Sequence, residues 1–178
     1  NSMTGIASFG GKAGYMGKVA DDQLGADFTA AFRAAGVRFE TPPRPGQPAT
    51  ARSLIAVTPD GQRSMNTFLG ASTLLDMKDV DKALIESATV LFLEGYLFDR
   101  DEAKAAFVHA SEIAKAAGRK VSVTLSDLFC VERHRESFLH LVEHHVDILF
   151  ANEAEIVALY QTENFETALA AAREVCPI

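Results

Sequence analysis

Cysteine is scarce in this chain, which has only two among its 178 residues. Cys130 and Cys176 lie far apart and form no C-x-x-C pair. Zinc sites and disulfide frameworks need more numerous or more closely spaced cysteines, so neither is indicated. Two isolated thiols are typical of a protein in a reducing compartment, and we expect a cytoplasmic location.

An excess of basic charge and a long apolar run are missing too. Lys and Arg number 17 against 24 Asp and Glu, which gives a formal net charge of −7. A nucleic-acid surface needs clustered basic side chains to neutralise phosphates, so this class of partner is not expected. No apolar stretch approaches the length of a membrane span, and Asn1-Ser2-Met3 lacks the pattern of a signal peptide. We therefore expect no membrane partner.

Hydrophobic residues make up 48% of the chain, enough for a sizeable core, and their spacing alternates between strand and helix periods. Such alternation predicts an α/β fold with a mostly parallel sheet. The predicted elements are a short helix within Asn1–Phe9, a strand at Lys12–Ala20, a helix at Asp21–Ala35, a helix near Asp79–Ser87, a strand at Thr89–Glu94, a helix opened by a capping box at Asp99–Glu102, a strand at Lys120–Leu125, a helix at Glu132–His145, a strand at Ile148–Phe150 and helices at Glu153–Tyr160 and Phe165–Val175.

The segment from Val37 to Gly70 departs from this alternation. Its four prolines before position 50 predict a loop, because proline is excluded from helix interiors. Ala51–Thr58 and Gln62–Leu69 then flank Pro59-Asp60-Gly61, which predicts a β-hairpin. By itself this hairpin could be an ordinary solvent-exposed excursion.

The stretch from Val146 to Glu155 carries the clearest candidate site. Ile148–Phe150 is a short apolar run that suits a parallel strand covered on both faces, and Asn152 follows it at the start of a helix. Ligands bind at the carboxyl ends of strands in open α/β sheets, which makes Asn152 and Glu155 candidates for binding. An Asn cap with Glu three positions later also satisfies orphan backbone groups without any ligand, so the spacing alone leaves both interpretations open.

Two stretches resemble a known family. Asn152-Glu153-Ala154-Glu155 resembles the N-x-x-E motif of ribokinase-like kinases, the PfkB family, and Val146–Glu155 as a whole resembles its adenosine kinase branch. Asn1–Gly25 is similar to the latter part of the family's first signature, including Asp21-Asp22-Gln23-Leu24-Gly25. The resemblance implies a three-layer fold with a mostly parallel sheet and a small β lid at 37–69, the remaining 1–36 and 70–178 forming a kinase core.

The resemblance further implies a reaction, transfer of the ATP γ-phosphoryl group to a primary hydroxyl of a ribonucleoside or sugar, with the adenosine 5′-hydroxyl expected. A sugar kinase of the same family and a noncatalytic nucleoside or sugar binder are the alternatives. Mg²⁺ and ATP would be required, with a monovalent cation as a further cofactor and a homodimer formed through the lid. The start at Asn1 without an initiator Met and the end at Cys176-Pro177-Ile178 indicate a partial domain, with its N-terminal and C-terminal parts lacking.

The resemblance also assigns site residues. Asn1 is expected to contact the substrate, and Asn152 with Glu155 to act around magnesium and phosphate. Glu94 ends a predicted strand, where its carboxylate can accept hydrogen bonds from sugar hydroxyls, although an ordinary loop acid is the alternative. Leu125–Phe129 resembles the Leu-Ser-Ala-Pro-Phe loop of adenosine kinases, with Asp and Leu in place of Ala and Pro. The catalytic Asp is expected beyond Ile178.

A competing motif lies in the predicted helix at Glu132–His145. His140-Leu141-Val142-Glu143-His144 spells H-x-x-E-H, in which two His one turn apart can bind zinc while Glu activates water. The apolar stripe of the helix leaves His140, Glu143 and His144 on its polar face, and no downstream acid is evidently placed to serve as the third protein ligand that a catalytic zinc needs. A solvated helix face is therefore the preferred interpretation.

Overall fold

The computed structural model describes residues 1–176, which divide into two units. The first runs from Asn1 to Leu75 and the second from Asp76 onward. Among the described residues, no helix is both long and apolar enough to span a bilayer.

The first unit contains two helices, a parallel strand pair and a hairpin. Its elements are α1 (Ser2–Ser8), β1 (Ala13–Tyr15), α2 (Gln23–Ala34), β2 (Val37–Phe39), β3 (Arg52–Val57), β4 (Arg63–Phe68) and a 3-10 turn (Gly70–Leu74). The predicted short helix, the helix at Asp21–Ala35 and the hairpin are present. The strand predicted over Lys12–Ala20 is shorter, because β1 pairs only with the three-residue β2, which the sequence pattern did not predict.

An aromatic cluster fills the space between α2 and the parallel pair. Tyr15 of β1 and Phe39 of β2 contact Phe28 and Phe32 of α2, with ring centroids 5.1 to 6.2 Å apart. Phe39 is buried. Aromatic contacts at these separations add to the burial of apolar area, so this cluster stabilises the small strand pair.

Asp22 joins the start of α2 to the base of the hairpin. Its carboxylate caps α2 by accepting from Gly25 N (2.8 Å), and it also accepts from the amide (2.9 Å) and hydroxyl (2.6 Å) of Thr50. The Thr50 hydroxyl oxygen in turn accepts from Ala20 N (2.9 Å). Gly25 is required here, since a Cβ at this position would lie 2.1 Å from the Ala20 carbonyl oxygen. The Asp-Asp-x-x-Gly segment therefore serves as an anchor for the chain that enters β3.

Replacing the Thr50 hydroxyl tests this anchor. Thr50 is buried, so Thr50→Val keeps its shape but leaves Ala20 N without its acceptor and removes one of the three hydrogen bonds that Asp22 accepts. We expect the free energy of unfolding to fall by about 1–3 kcal/mol. Thr67→Val, which removes an exposed hydroxyl paired with Ser53, is the control and should change it by less than about 0.5 kcal/mol. Chemical denaturation of both variants measures the difference, and equal losses would show that the anchor contributes nothing specific.

The hairpin has the predicted form but no covered face within its own unit. β3 and β4 pair antiparallel from Arg52↔Phe68 to Val57↔Arg63, and every residue of both strands is exposed. Gly61 has φ +84°, a conformation that suits glycine in the tight turn after Pro59-Asp60. The assignment of residues 37–69 as a lid stays a prediction.

The second unit is a parallel three-stranded sheet with helical connections, as the alternation predicts. Its strands are ordered β5-β6-β7. The elements are a 3-10 turn (Met77–Asp79), α3 (Lys82–Ser87), β5 (Val90–Glu94), a 3-10 turn (Gly95–Asp99), α4 (Asp101–Ala116), β6 (Lys120–Thr124), α5 (Leu128–His144), β7 (Ile148–Phe150), α6 (Glu153–Tyr160) and α7 (Phe165–Val175).

The starts of α4 and α5 differ from the predictions. The predicted capping box at Asp99–Glu102 is absent, because α4 begins after Arg100, whose side chain makes no cap hydrogen bond. Asp99 instead accepts from His134 Nε2 (2.6 Å) and Arg133 on α5. The predicted start of α5 at Glu132 is also wrong. Asp127 accepts from Cys130 N (2.6 Å) and caps the helix one turn earlier, and the helix is kinked at His134.

The core of the second unit lies between the sheet and helices α4 and α5. Phe98 stacks on Phe138 with ring centroids 4.3 Å apart, and Phe107 packs edge-on against Phe98. The expectation that β7 is covered on both faces is not met, since Phe150 is 54% exposed. Within the described residues β7 is an edge strand of its sheet and pairs on one side only.

Candidate active site

The three parallel strands of the second unit end at a common edge. Glu94, Thr124 and Phe150 are paired in register, so the chain leaves β5, β6 and β7 at the same level. Neighbouring strands are about 4.8 Å apart, which separates the backbones at Glu94 and Phe150 by about 9 to 10 Å. Glu94 and the Asn152 region, 58 positions apart in the sequence, thus lie at one edge of one sheet, where α/β proteins bind ligands.

Asn152 and Glu155 form the capping box that their spacing predicts. Asn152 Oδ1 accepts from Glu155 N (2.9 Å), and Glu155 Oε2 accepts from Asn152 N (3.0 Å). The side-chain amide of Asn152 also donates to Glu155 Oε1 (2.8 Å). The two side chains therefore fix each other at the first turn of α6. The structural part of the prediction is confirmed.

The position of Glu155 goes beyond what a cap requires. Its residue is only 6% exposed, and no basic side chain among the described residues forms an ion pair with it. A buried carboxylate normally needs a compensating charge, which the amino end of α6 supplies only in part. A nearby divalent cation would complete the compensation. Asn152, the hydrogen-bond partner of Glu155, is itself exposed to solvent.

These residues fit magnesium that is held through water rather than in a protein cage. Magnesium keeps several waters and uses few protein oxygens beside substrate phosphates. Both Glu155 oxygens already accept from Asn152, and no group of three His, Cys, Asp or Glu side chains in residues 1–176 could hold a metal alone. Magnesium bound together with a nucleotide is therefore compatible with this pair.

Glu94 emerges from β5 as an exposed carboxylate with one oxygen engaged. Its Oε1 accepts from the hydroxyl of Ser126 (2.8 Å), which follows β6. Its second oxygen accepts no hydrogen bond from the described residues. The side chain is thus oriented while one oxygen can still accept from a ligand hydroxyl.

The loop after β6 explains how the departures from the Leu-Ser-Ala-Pro-Phe pattern are accommodated. Asp127 is the N-cap of α5, and Leu128 is its first helical residue. Proline is favoured at that first position because its missing N–H has no partner there in any case. Leu128 can take the same place without disturbing the helix start, so the loop keeps a defined geometry.

Tyr96 and Cys130 surround this loop with protonated donors. Burial, followed by the negative charge of Asp127, raises the pKa of Tyr96, and the Tyr96 hydroxyl donates to the Ser126 carbonyl (3.2 Å). Burial raises the pKa of the Cys130 thiol to about 11, and the thiol donates to the Gly95 carbonyl (3.2 Å). Cys130 is buried, and these contacts are those of a packing residue.

Asn1 lies in the first unit, as the exposed N-cap of α1. Its side chain makes no cap hydrogen bond, and its carbonyl accepts from Gly5 N (2.8 Å). Its expected contact with a substrate stays a prediction. The catalytic Asp expected beyond Ile178 lies outside the described residues.

The H-x-x-E-H motif forms an exposed helix face. His140, Glu143 and His144 are all exposed on α5, whereas Leu141 and Val142 are buried, as the apolar spacing predicts. The rings of His140 and His144 are 4.9 Å apart. Within residues 1–176 no third ligand completes a metal site around them.

Sequence reasoning did not identify Ser126, Tyr96 and Thr124 as part of the edge. Ser126 was noticed only as a member of a loop motif, and its bond to Glu94 spans 32 positions. Its φ of +74° also has no signature in the residue type, since serine seldom adopts this conformation. A hydroxyl residue directly after a predicted strand end was the only available signal.

Comparisons with known proteins agree on one family. The sequence profile of the pfkB family carbohydrate kinases matches residues 1–177. An adenosine kinase from Sinorhizobium meliloti is 51% identical and superposes with a TM-score of 0.93, over 99% of this chain and 54% of that one. The "Probable fructokinase-6, chloroplastic" of Arabidopsis thaliana is 27% identical over 175 residues, which cover 92% of this chain and 44% of that protein. The chain therefore spans about half the length of the relatives that it matches. The matched structures confirm the α/β ribokinase-like fold.

Proposed function

Because the chain belongs to the pfkB family of carbohydrate kinases, we propose that the full-length protein transfers the ATP γ-phosphoryl group to the 5′-hydroxyl of adenosine. The observation that carries the choice of acceptor is the 51% identity, over nearly the whole chain, to the Sinorhizobium meliloti adenosine kinase. Identity to the plant fructokinase is 27%, and identity to a probable sugar kinase from Rhizobium etli is 49%. The Val146–Glu155 stretch, which resembles the adenosine kinase branch, supports the same acceptor.

The edge of the parallel sheet carries Glu94, Asn152 and Glu155, for which we propose roles in this reaction. In phosphoryl transfer the protein mainly positions the reactants and stabilises charge. Asn152 and Glu155 would hold the hydrated magnesium, which screens the charge of the ATP phosphates when bound. Glu94, about two strands away, would accept hydrogen bonds from the ribose hydroxyls through its open oxygen. Asn1 is proposed as a second contact to the acceptor, and the general base is expected beyond Ile178.

A sugar kinase is the second candidate, favoured by the curated relatives. The match to the Arabidopsis fructokinase covers 92% of this chain, and a 5-dehydro-2-deoxygluconokinase from Shouchella clausii is 31% identical over 124 residues. Glu94 would bind a sugar through the same chemistry, since it recognises hydroxyl groups and not a base. Both candidates use the same phosphoryl donor, so only the acceptor separates them.

A substrate panel tests the proposal. The full-length protein with saturating Mg-ATP should phosphorylate adenosine with a kcat/KM at least about 100-fold above that for ribose, fructose or fructose 6-phosphate, because these sugars lack the adenine base and therefore every contact that an adenosine site makes to it. Turnover of a sugar without adenosine would assign the sugar kinase function. Binding of adenosine without any turnover would identify a noncatalytic binder. The monovalent cation and the cytoplasmic location remain predictions.

The hairpin provides a second test, of the proposed lid. If β3 and β4 close over the acceptor, closure should exclude water and order strands that are otherwise exposed on both faces. Amides of residues 52–68 should then gain at least about tenfold protection from hydrogen exchange with saturating adenosine, while the buried β6 amides stay unchanged. A gain that depends on protein concentration and not on adenosine would instead support the predicted homodimer through the hairpin. Unchanged hydrogen exchange in residues 52–68 would contradict the proposal that this hairpin is a lid.

A further inference from the structure

Ser126 has a backbone conformation that serine seldom adopts, at the edge where Glu94 leaves the sheet. Its φ is +74°. Such outliers persist where surrounding contacts determine them, and they cluster at ligand sites. Here the Tyr96 hydroxyl donates to the Ser126 carbonyl (3.2 Å), and the Ser126 amide donates to Thr124 Oγ1 (3.3 Å). Hydrogen bonds to the amide and to the carbonyl of Ser126 therefore both hold this conformation.

The held conformation aims the Ser126 hydroxyl at Glu94. Ser126 Oγ donates to Glu94 Oε1 at 2.8 Å, across two adjacent parallel strands. A capping role does not explain Ser126, because Asp127 caps α5. Nor does core packing, because Ser126 is only partly buried and its partner Glu94 is exposed. The Ser126 hydroxyl also lies 3.4 Å from the Thr124 carbonyl oxygen, but its shorter hydrogen bond is the one to Glu94, and that bond orients a carboxylate whose other oxygen is open.

We propose that Ser126 is a positioning residue, whose hydroxyl fixes the Glu94 carboxylate so that its open oxygen meets hydroxyl groups on the sugar of the acceptor. This inference rests on the proposed kinase function. Ser126 acts through Glu94 and lies after β6, whereas the magnesium and phosphate pair lies after β7. Its removal should therefore weaken acceptor binding and leave the ATP and magnesium requirements unchanged.

Ser126→Gly in the full-length protein separates this role from a structural one. Glycine adopts a φ of +74° readily, so the loop should fold at least as stably as with serine. The KM for the acceptor should rise about three- to tenfold, the net contribution of a single hydrogen bond. KM for ATP and the magnesium dependence should stay within about twofold. Ser126→Asn, which tolerates positive φ and carries an amide donor, should restore part of the acceptor affinity.

A double-mutant cycle shows whether the effect passes through Glu94. In a Glu94→Ala background, Ser126→Gly should change the calorimetric Kd of the acceptor by less than about twofold, since residues that act as a unit are not additive. Ser87→Ala, which removes a hydroxyl bonded only within α3, serves as the control. An unchanged KM in Ser126→Gly, or fully additive effects in the cycle, would overturn the inference while the kinase function stands. A wild-type protein that phosphorylates no acceptor would overturn both.

Discussion

Glu155→Gln in the full-length protein is expected to lower kcat by about 10²- to 10³-fold, which corresponds to about 2.7–4 kcal/mol of lost transition-state stabilisation by analogy with a lost oxyanion donor. The carboxylate is buried, and within residues 1–176 no basic side chain forms an ion pair with it, so under the proposed function its negative charge would act on the hydrated magnesium. The amide keeps the size and loses the charge. The magnesium concentration for half-maximal activity should rise, and the KM for adenosine should change little.

The same substitution has a structural effect that must be separated from the kinetic one. Glu155 accepts from both the backbone and the side-chain amide of Asn152, and Gln can accept only one of these bonds. We therefore expect a loss of about 1 kcal/mol in the free energy of unfolding, the usual value of a cap. Steady-state kinetics across a magnesium titration, run beside thermal melts, measure both effects.

Asn164 offers a matched control for the cap. It accepts from Thr167 N (2.9 Å) at the start of α7, a helix that follows no strand of the described sheet. Asn164→Ala should also cost about 1 kcal/mol of stability while leaving kcat and the magnesium dependence unchanged. If Glu155→Gln behaves in the same way, with a lower Tm and a normal magnesium titration, Glu155 is a cap and the magnesium proposal is wrong.

Phe138→Ala is expected to lower the free energy of unfolding by about 3–5 kcal/mol, the range for aromatic residues deleted from well-packed cores. Phe138 is fully buried and stacks on Phe98. It also lies beneath Gly95, where a Cβ would come within 2.9 Å of its ring. The ring thus supports the turn that follows Glu94, and its loss leaves a cavity directly below the proposed acceptor contact.

A graded substitution distinguishes cavity formation from other causes. Phe138→Leu deletes fewer atoms and should cost clearly less than Phe138→Ala, because the penalty grows with the volume of the cavity. Urea denaturation gives the free energy of unfolding of both variants when their curves are fitted with a common dependence of this free energy on urea concentration. Equal losses in the two variants would contradict the cavity explanation and indicate a specific requirement for the aromatic ring.

Features that depend on neighbouring residues in the chain were determined by the sequence alone. The Asn152–Glu155 capping box follows from a spacing of three residues, and the hairpin turn follows from Pro59-Asp60-Gly61, because each is closed by bonds within a few residues. The alternation of strands and helices in the second unit was also correct. Hydrophobic periodicity indicates which face of a helix or strand is buried. It can therefore be read from the sequence without knowing which element packs against that face.

Contacts between distant segments were decided only by the tertiary structure. The short β2 exists because β1 and the aromatic face of α2 meet it, and Asp99 pairs with His134 across 35 positions instead of capping α4. Ser126 takes a strained conformation that its own preferences oppose, because Thr124 and Tyr96 hold it beside Glu94. The candidate site is assembled from three strand ends, and only the register of the sheet places them at one edge.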